Sequence, residues 1–193
     1  MTKTEIANLA LSWLGCNPIP DANDVNDTSP EAIMIRANYL PSRDATLESH
    51  AWTFAKTSQP LSLSPITPPV AQYTYQYIIP TNVIRILRAI LNTGYDLEYP
   101  WERMGGFIFA SEQNVCADMI VRVDDTTSFS PLFIKAFAAR MAADMAIPLT
   151  ENRNLANDME AKYQGFVREA AYTDGSQGSM QQLKPTRLPG RLM

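Results

Sequence analysis

The chain has one histidine and two cysteines, and no apolar run approaching the roughly 18 residues that a membrane span requires. Each shortage excludes something. His50, Cys16 and Cys116 supply too few soft ligands, at no spacing that builds a metal site. The missing apolar run argues against a transmembrane role. The amino terminus, Met1-Thr2-Lys3-Thr4-Glu5, turns acidic before any apolar stretch develops, so it lacks the order of a secretory signal. The expected compartment is the cytoplasm in which the chain is made, where both cysteines stay reduced and read as small buried apolar residues.

Motifs that carry chemistry are also missing. Cys16 and His50 have no local signature of a nucleophile and its base. Asp21, Asp24 and Asp27 lack the glycine and closing glutamate of a calcium loop and read as a solvated loop. Gly105-Gly106 has neither a phosphate-loop lysine nor a dinucleotide fingerprint around it and reads as a turn. No catalytic, metal or cofactor-binding residues are assigned, and no enzyme is expected.

What is present is a chain of 193 residues, 46% hydrophobic and 19% charged, an ordinary mixture for one soluble domain. A chain of that length buries roughly 70% of its unfolded surface, ample for an independent core. Charge is uneven along it. Residues 175–193 carry Lys184, Arg187 and Arg191 and no acid, leaving thirteen basic and twenty acidic residues, net −7, in the remainder. An acidic body disfavours ordinary duplex binding, which basic contacts to phosphate dominate.

Thr2 and Glu5 form a capping box, after which Ile6, Leu9, Ala10, Trp13 and Leu14 recur at helical spacing until Gly15. A loop rich in Asp and Asn leads to a second helix, started by Ser29-Pro30. Its expected buried stripe is Ile33, Ala37, Leu40 and Leu47, and Pro41 should kink or divide it. After Trp52 and Phe54, prolines 60, 65, 68 and 69 break up the chain, and from Thr53 the apolar period becomes two. Tyr73, Tyr75 and Tyr77 line one face of a strand. Tyrosines so placed pack a core with hydroxyls at its rim more readily than they stack nucleic-acid bases. Val83 to Leu91 forms an apolar run interrupted by Arg85 and Arg88, Asn92-Thr93-Gly94 a turn, and Tyr95, Leu97 and Tyr99 alternate. Phe107 to Ala110 follows, with Ser111 to Asn114 as a hairpin turn before Val115, Ala117, Met119, Val121 and Val123. A meander of four or five antiparallel strands is expected. Ser130-Pro131 opens a third helix with Phe133, Phe137, Met141, Ala142 and Met145 on one stripe up to Pro148. A fourth, from about Glu151, uses Leu155, Met159, Tyr163, Phe166 and Ala170. Beyond Tyr172 the apolar periodicity ends.

The expected fold class is α+β: a helical bundle from residues 1–54 and 130–172, an antiparallel β insertion over 55–129, and a flexible basic tail over 173–193. Trp13, Trp52 and Phe137 are expected to be substantially buried where the N-terminal helices meet the third helix.

Several segments together resemble a known family: Ala10-Leu11-Ser12-Trp13-Leu14-Gly15 with Pro18; Arg43-Asp44 followed by Trp52-Thr53-Phe54-Ala55; Tyr73, Tyr75 and Tyr77 leading to Pro80 and Arg85; and Ala138-Ala139-Arg140-Met141-Ala142 before Ile147-Pro148-Leu149-Thr150. Over residues 5–172 their order and spacing are similar to the head-to-tail connector family of podoviruses, the tail tubular protein A group. Trp13, Gly15, Trp52, Phe54, Tyr77 and Pro80 are the family-like structural positions. The resemblance implies a virion protein at the head–tail junction that forms a ring with copies of itself, by family expectation a dodecamer. The ring would join the portal protein to the tail nozzle protein and continue the channel through which genomic DNA passes without sequence recognition. The body's net charge leads us to expect acidic side chains along that channel. In the tail, Leu183, Lys184, Arg187, Leu188, Arg191 and Leu192 are candidate docking residues for the portal or a neighbouring subunit, in an extended shape favoured by Pro185 and Pro189. The alternatives are a head-completion adaptor of a long-tailed phage and, remotely, a small hydrolase using Cys16 or a surface carboxylate. A nucleic-acid-binding module is disfavoured by the acidic body.

Overall fold

The computed structural model describes residues 1–69, 72–91 and 100–175. Helices α1 (Lys3–Leu14) and α2 (Pro30–Ser49) come first, then a short 3-10 turn (Thr53–Ala55). Seven strands follow: β1 (Lys56–Pro60), β2 (Ser62–Leu63), β3 (Tyr75–Ile78), β4 (Val83–Leu91), β5 (Trp101–Met104), β6 (Phe107–Ala110) and β7 (Val115–Val121). A second 3-10 turn (Thr126–Ser128) leads to α3 (Pro131–Thr150) and α4 (Arg153–Gly175). The fold is α+β, with helices from both ends of the chain and antiparallel sheets between them.

The helix starts follow the local chemistry. The Glu5 N–H donates to Thr2 Oγ1 and the Thr2 N–H to Glu5 Oε2, closing the capping box, and Gly15 ends α1 at φ 70°. Ser29 and Ser130 cap α2 and α3, each with proline at the first helical position.

α3 is the central helix. Phe133, Phe137, Met141, Ala142 and Met145 are fully buried, packed by Ile6 and Leu11 of α1, Ile35 and Leu47 of α2, and Trp52. Trp52 and Phe54 set their rings against Phe133 at 5.1 and 4.9 Å, and Tyr39 meets Phe137 edge-on at 5.0 Å.

Three helical expectations change. In α2 only Leu47 of the expected stripe is buried, whereas Ile33, Ala37 and Leu40 face outward. The inward face is instead Ile35, Tyr39, Ser42, Arg43 and Thr46, and the last three find polar partners in place. Ser42 Oγ donates to Asp144, Thr46 Oγ1 donates to the Ser42 carbonyl, and Arg43 holds Asp44 and Asp124. Second, Pro41 does not divide α2 and Pro148 does not end α3. Both prolines lie on the exposed side, where water serves the carbonyl left without a donor. Third, α4 starts at Arg153, after Glu151 has capped α3 in the left-handed region, and continues to Gly175 with Asp174 buried. Residues 173–175 therefore belong to the helix and not to a tail.

The strands form two sheets, ordered β1-β7-β4 and β2-β3-β6-β5. They share a core of Tyr77, Ile79, Ile108 and Ala110 from one side and Val83, Ala89, Val115, Ala117 and Met119 from the other. This replaces the expected meander. Ser111 to Asn114 is no hairpin turn: it carries the chain from β6 in one sheet to β7 in the other, with Asn114 at φ 59°. Gly105-Gly106 does turn β5 into β6, with Gly105 at φ 59°. The stretch around Pro60 is a strand, not a break. β1 lies on a sheet edge and Pro60 is its last residue, where a missing N–H costs little.

The near-continuous apolar run of β4 has a physical reason. Register shifts beside Arg85 and Arg88 mark bulges, and the intervening Ile84 and Leu87 pack against the bundle while Val83, Ile86 and Ala89 face the sheet core. The turn at Asn92-Thr93-Gly94 and the alternation of Tyr95, Leu97 and Tyr99 lie outside the described residues.

Candidate interaction surfaces

The residues considered for chemistry stand apart. Cys16 follows α1 near the start of α2, where burial, then the charge of Glu31, pushes its thiol up. His50 caps the other end of α2, a twenty-residue helix away, a length of about 30 Å. Cys116 is buried, and burial followed by the Asp118 charge raises its thiol too. Neither sulfur sits in surroundings that favour thiolate. In the acidic loop, the Asp21, Asp24 and Asp27 carboxylates accept the N–H groups of Asn23, Asn26 and Ser29, and Arg36 donates to the Asp24 and Asp27 carbonyls. The Ser29 N–H and hydroxyl, then Arg36, hold the Asp27 carboxyl below its usual range. The loop is not simply solvated: Ile19 and Ala22 are buried, and Asn8 exchanges two 2.9 Å hydrogen bonds with the backbone of Ile19. Among the described residues no group of three or more His, Cys, Asp or Glu is placed to hold a metal ion.

Of the family-like positions, Trp52 is fully buried, with Nε1 donating to the Thr46 carbonyl at 2.8 Å, and Tyr77 is buried in the sheet core. Pro80 accepts the Val83 N–H in the turn that starts β4. Trp13 packs against the edge of the core. It is half-buried on the seam between α1 and α4, stacked on Phe166 at 6.0 Å, with Lys162 Nζ 3.8 Å above its ring. The three tyrosines do place their hydroxyls at a rim. Tyr77 donates to the Glu112 carbonyl, Tyr75 accepts from Gln113 and Tyr73 donates to Glu102.

At the end of α4, Asp174 ties the helix to the start of the β module through Thr53. A cleft of about 270 Å³ beside it is lined by Ser130, Pro131, Leu132, Ala170, Thr173 and Asp174. The candidate docking residues Leu183, Lys184, Arg187, Leu188, Arg191 and Leu192 lie outside the described residues.

Among the described residues, two surfaces group exposed apolar side chains. One is the outward face of α2, with Ile33 44% and Leu40 53% exposed. The other is the β2–β3 end of the sheets, where Leu63, Ile66 and Ile78 are exposed beside a 160 Å³ cleft. No protein-family model matches the chain, and no curated protein matches it. Among the described residues no helix is long and apolar enough to cross a membrane.

Sequence reading missed both surfaces. The α2 face was legible as a stripe but assigned to the core. The β end has a plainer signal: from Thr57 to Ile84 there is no charged residue. A charge-free stretch exposing several large apolar side chains has the composition of an interface core.

Proposed function

We propose that this chain is a structural virion subunit, a head-to-tail adaptor that assembles into a ring between portal and tail nozzle and continues the DNA channel. The observation that carries it is the pair of exposed apolar surfaces on separate parts of the fold, the α2 face on the bundle and the charge-free end of the β module. An adaptor has to bind in more than one direction at once, and each such face loses exposed apolar area only when a partner covers it. The resemblance in residues 5–172 supplies the identity of those partners: further copies of the chain, portal and nozzle. A body of net −7 suits a conduit through which phosphates slide, because a dense cationic lining would hold them.

The test is to mix purified protein with cognate portal rings and image them by negative stain. A second coaxial ring stacked under the portal is the expected result. Free small particles beside bare portals at high concentration would sink the adaptor reading.

A further inference from the structure

We propose that the outward face of α2 in one copy binds the α1–α4 seam of the next. The ring rests on the adaptor reading above; the two faces are read from the bundle alone.

The α2 face is Ile33, Ala37 and Leu40, all exposed, continued at helical spacing by Asp44 and Glu48. Asp44 is engaged by Arg43 and Arg122. The Glu48 carboxylate has no ion-pair partner among the described residues, Arg85 donating to the Glu48 backbone carbonyl at 2.9 Å and not to its side chain. The face is therefore an apolar stripe ending in a carboxylate that is unpaired among the described residues.

The seam has the opposite character. Trp13 and Phe166 stack across it, with Lys162 over the Trp13 ring at 3.8 Å and Lys135 over the Phe166 ring at 5.8 Å. Neither lysine pairs with a carboxylate among the described residues. Ala161, beside Lys162, is exposed, so a helix can approach α4 there without displacing a long side chain. Asp158 and Glu169 stand one turn before and two turns after Lys162 on α4, which makes the match local: Glu48 has to land on Lys162 between them.

These faces do not meet within one molecule. α2 and α4 both lie along α3 but scarcely touch each other, so their outer sides point in different directions. Pairing one with the other is a heterologous contact between copies, the type that repeats around a ring. Apolar side chains supply the area and the Glu48–Lys162 pair the register.

The experiment uses the full chain carrying Ser49→Cys and Ala161→Cys, both at exposed positions and each next to one member of the Glu48–Lys162 pair, under mild oxidation. A ladder of disulfide-linked oligomers is expected from the double variant, with no ladder from either single variant. Glu48→Lys or Lys162→Glu, added singly, should lower the ladder yield several-fold, and the two reversals together should restore it. A double variant that gives no ladder, or a ladder indifferent to both charge reversals, overturns the proposal. Portal imaging keeps the two ideas separate. Protein that rings the portal without the ladder loses this interface and keeps the adaptor; protein that ladders but ignores portal does the reverse.

Discussion

Asp174, in the last turn of α4, accepts hydrogen bonds at 2.9 Å from both the N–H and the hydroxyl of Thr53, 121 residues earlier. His50 Nε2 stands 3.6 Å from the same carboxylate oxygen. One buried carboxylate thus joins the end of the bundle to the place where the chain enters the sheets. Asp174→Ala should cost about 1.5–3 kcal/mol, the range for hydrogen bonds to a charged group. Hydrogen exchange should locate the loss: protection of the Thr53 amide and of residues 171–175 falls together, while α3 keeps its protection. An unchanged Thr53 amide would mean that the corner is held by packing alone.

Two tryptophans of similar appearance in sequence should respond differently. Trp52 is fully buried among Phe54, Phe133 and His50, so Trp52→Ala should cost about 3–5 kcal/mol. Trp13 already shares its surface with solvent and Lys162, so Trp13→Ala should cost about 1–2 kcal/mol. Urea unfolding of the two variants compares them directly. Equal losses would place Trp13 in the core after all.

Acid stability should depend on Asp118. It is 3% exposed on β7; burial alone would raise its carboxyl, but Arg88, Ser58 and Lys56 together outweigh that and hold it below 3.8. A carboxyl depressed in the folded state contributes stability that is complete above its unfolded value. That stability is lost as pH falls through the lower folded value. Asp118→Asn should therefore be less stable than the parent at neutral pH and lose less on acidification below about pH 4. Thermal unfolding between pH 2 and pH 7 checks both halves. Parallel pH curves for variant and parent would remove Asp118 from the account.

At high pH the sign reverses for Tyr39. Burial, with Asp124 adding to it and Arg43 opposing, pushes its phenol up to about 12. Its contribution is present below the ordinary value of 10 and is lost as pH rises through about 12. Tyr39→Phe should flatten the alkaline limb of the stability curve, and an unaltered limb would assign that limb to other groups.

The parts of the fold legible in sequence were those decided locally. Thr2 with Glu5, Gly15, Ser29-Pro30 and Ser130-Pro131 each specify their own helix end through one or two hydrogen bonds, and each stands where the pattern put it. α3 was legible because its inward face is wholly apolar. α2 was not, because Ser42, Arg43 and Thr46 turn inward to partners such as Asp144 and Asp124, far away in sequence, leaving the more apolar stripe outside. Strand order failed for a similar reason. Nothing within Ser111–Asn114 distinguishes a turn within one sheet from a crossing between two, since the difference lies in β1 and β4, which claim the edges of β7.

The Asp174 anchor also determines how the C-terminal segment should be tested. Removing residues 173–193 would delete the anchor and mix a folding defect with any loss of docking. Deletion of 176–193 leaves the helix to Gly175 intact, while removing Leu183, Lys184, Arg187, Leu188, Arg191 and Leu192 together. Three cations among three leucines suit an acidic, partly apolar groove, and a weak contact repeated around a ring becomes a firm one. The truncated protein should therefore unfold at the parent's temperature but bind assembled portal much more weakly, with a steeper loss as salt rises in the parent than in the variant. Undiminished binding by the truncated protein would move portal docking off this segment and onto the bundle or the sheets.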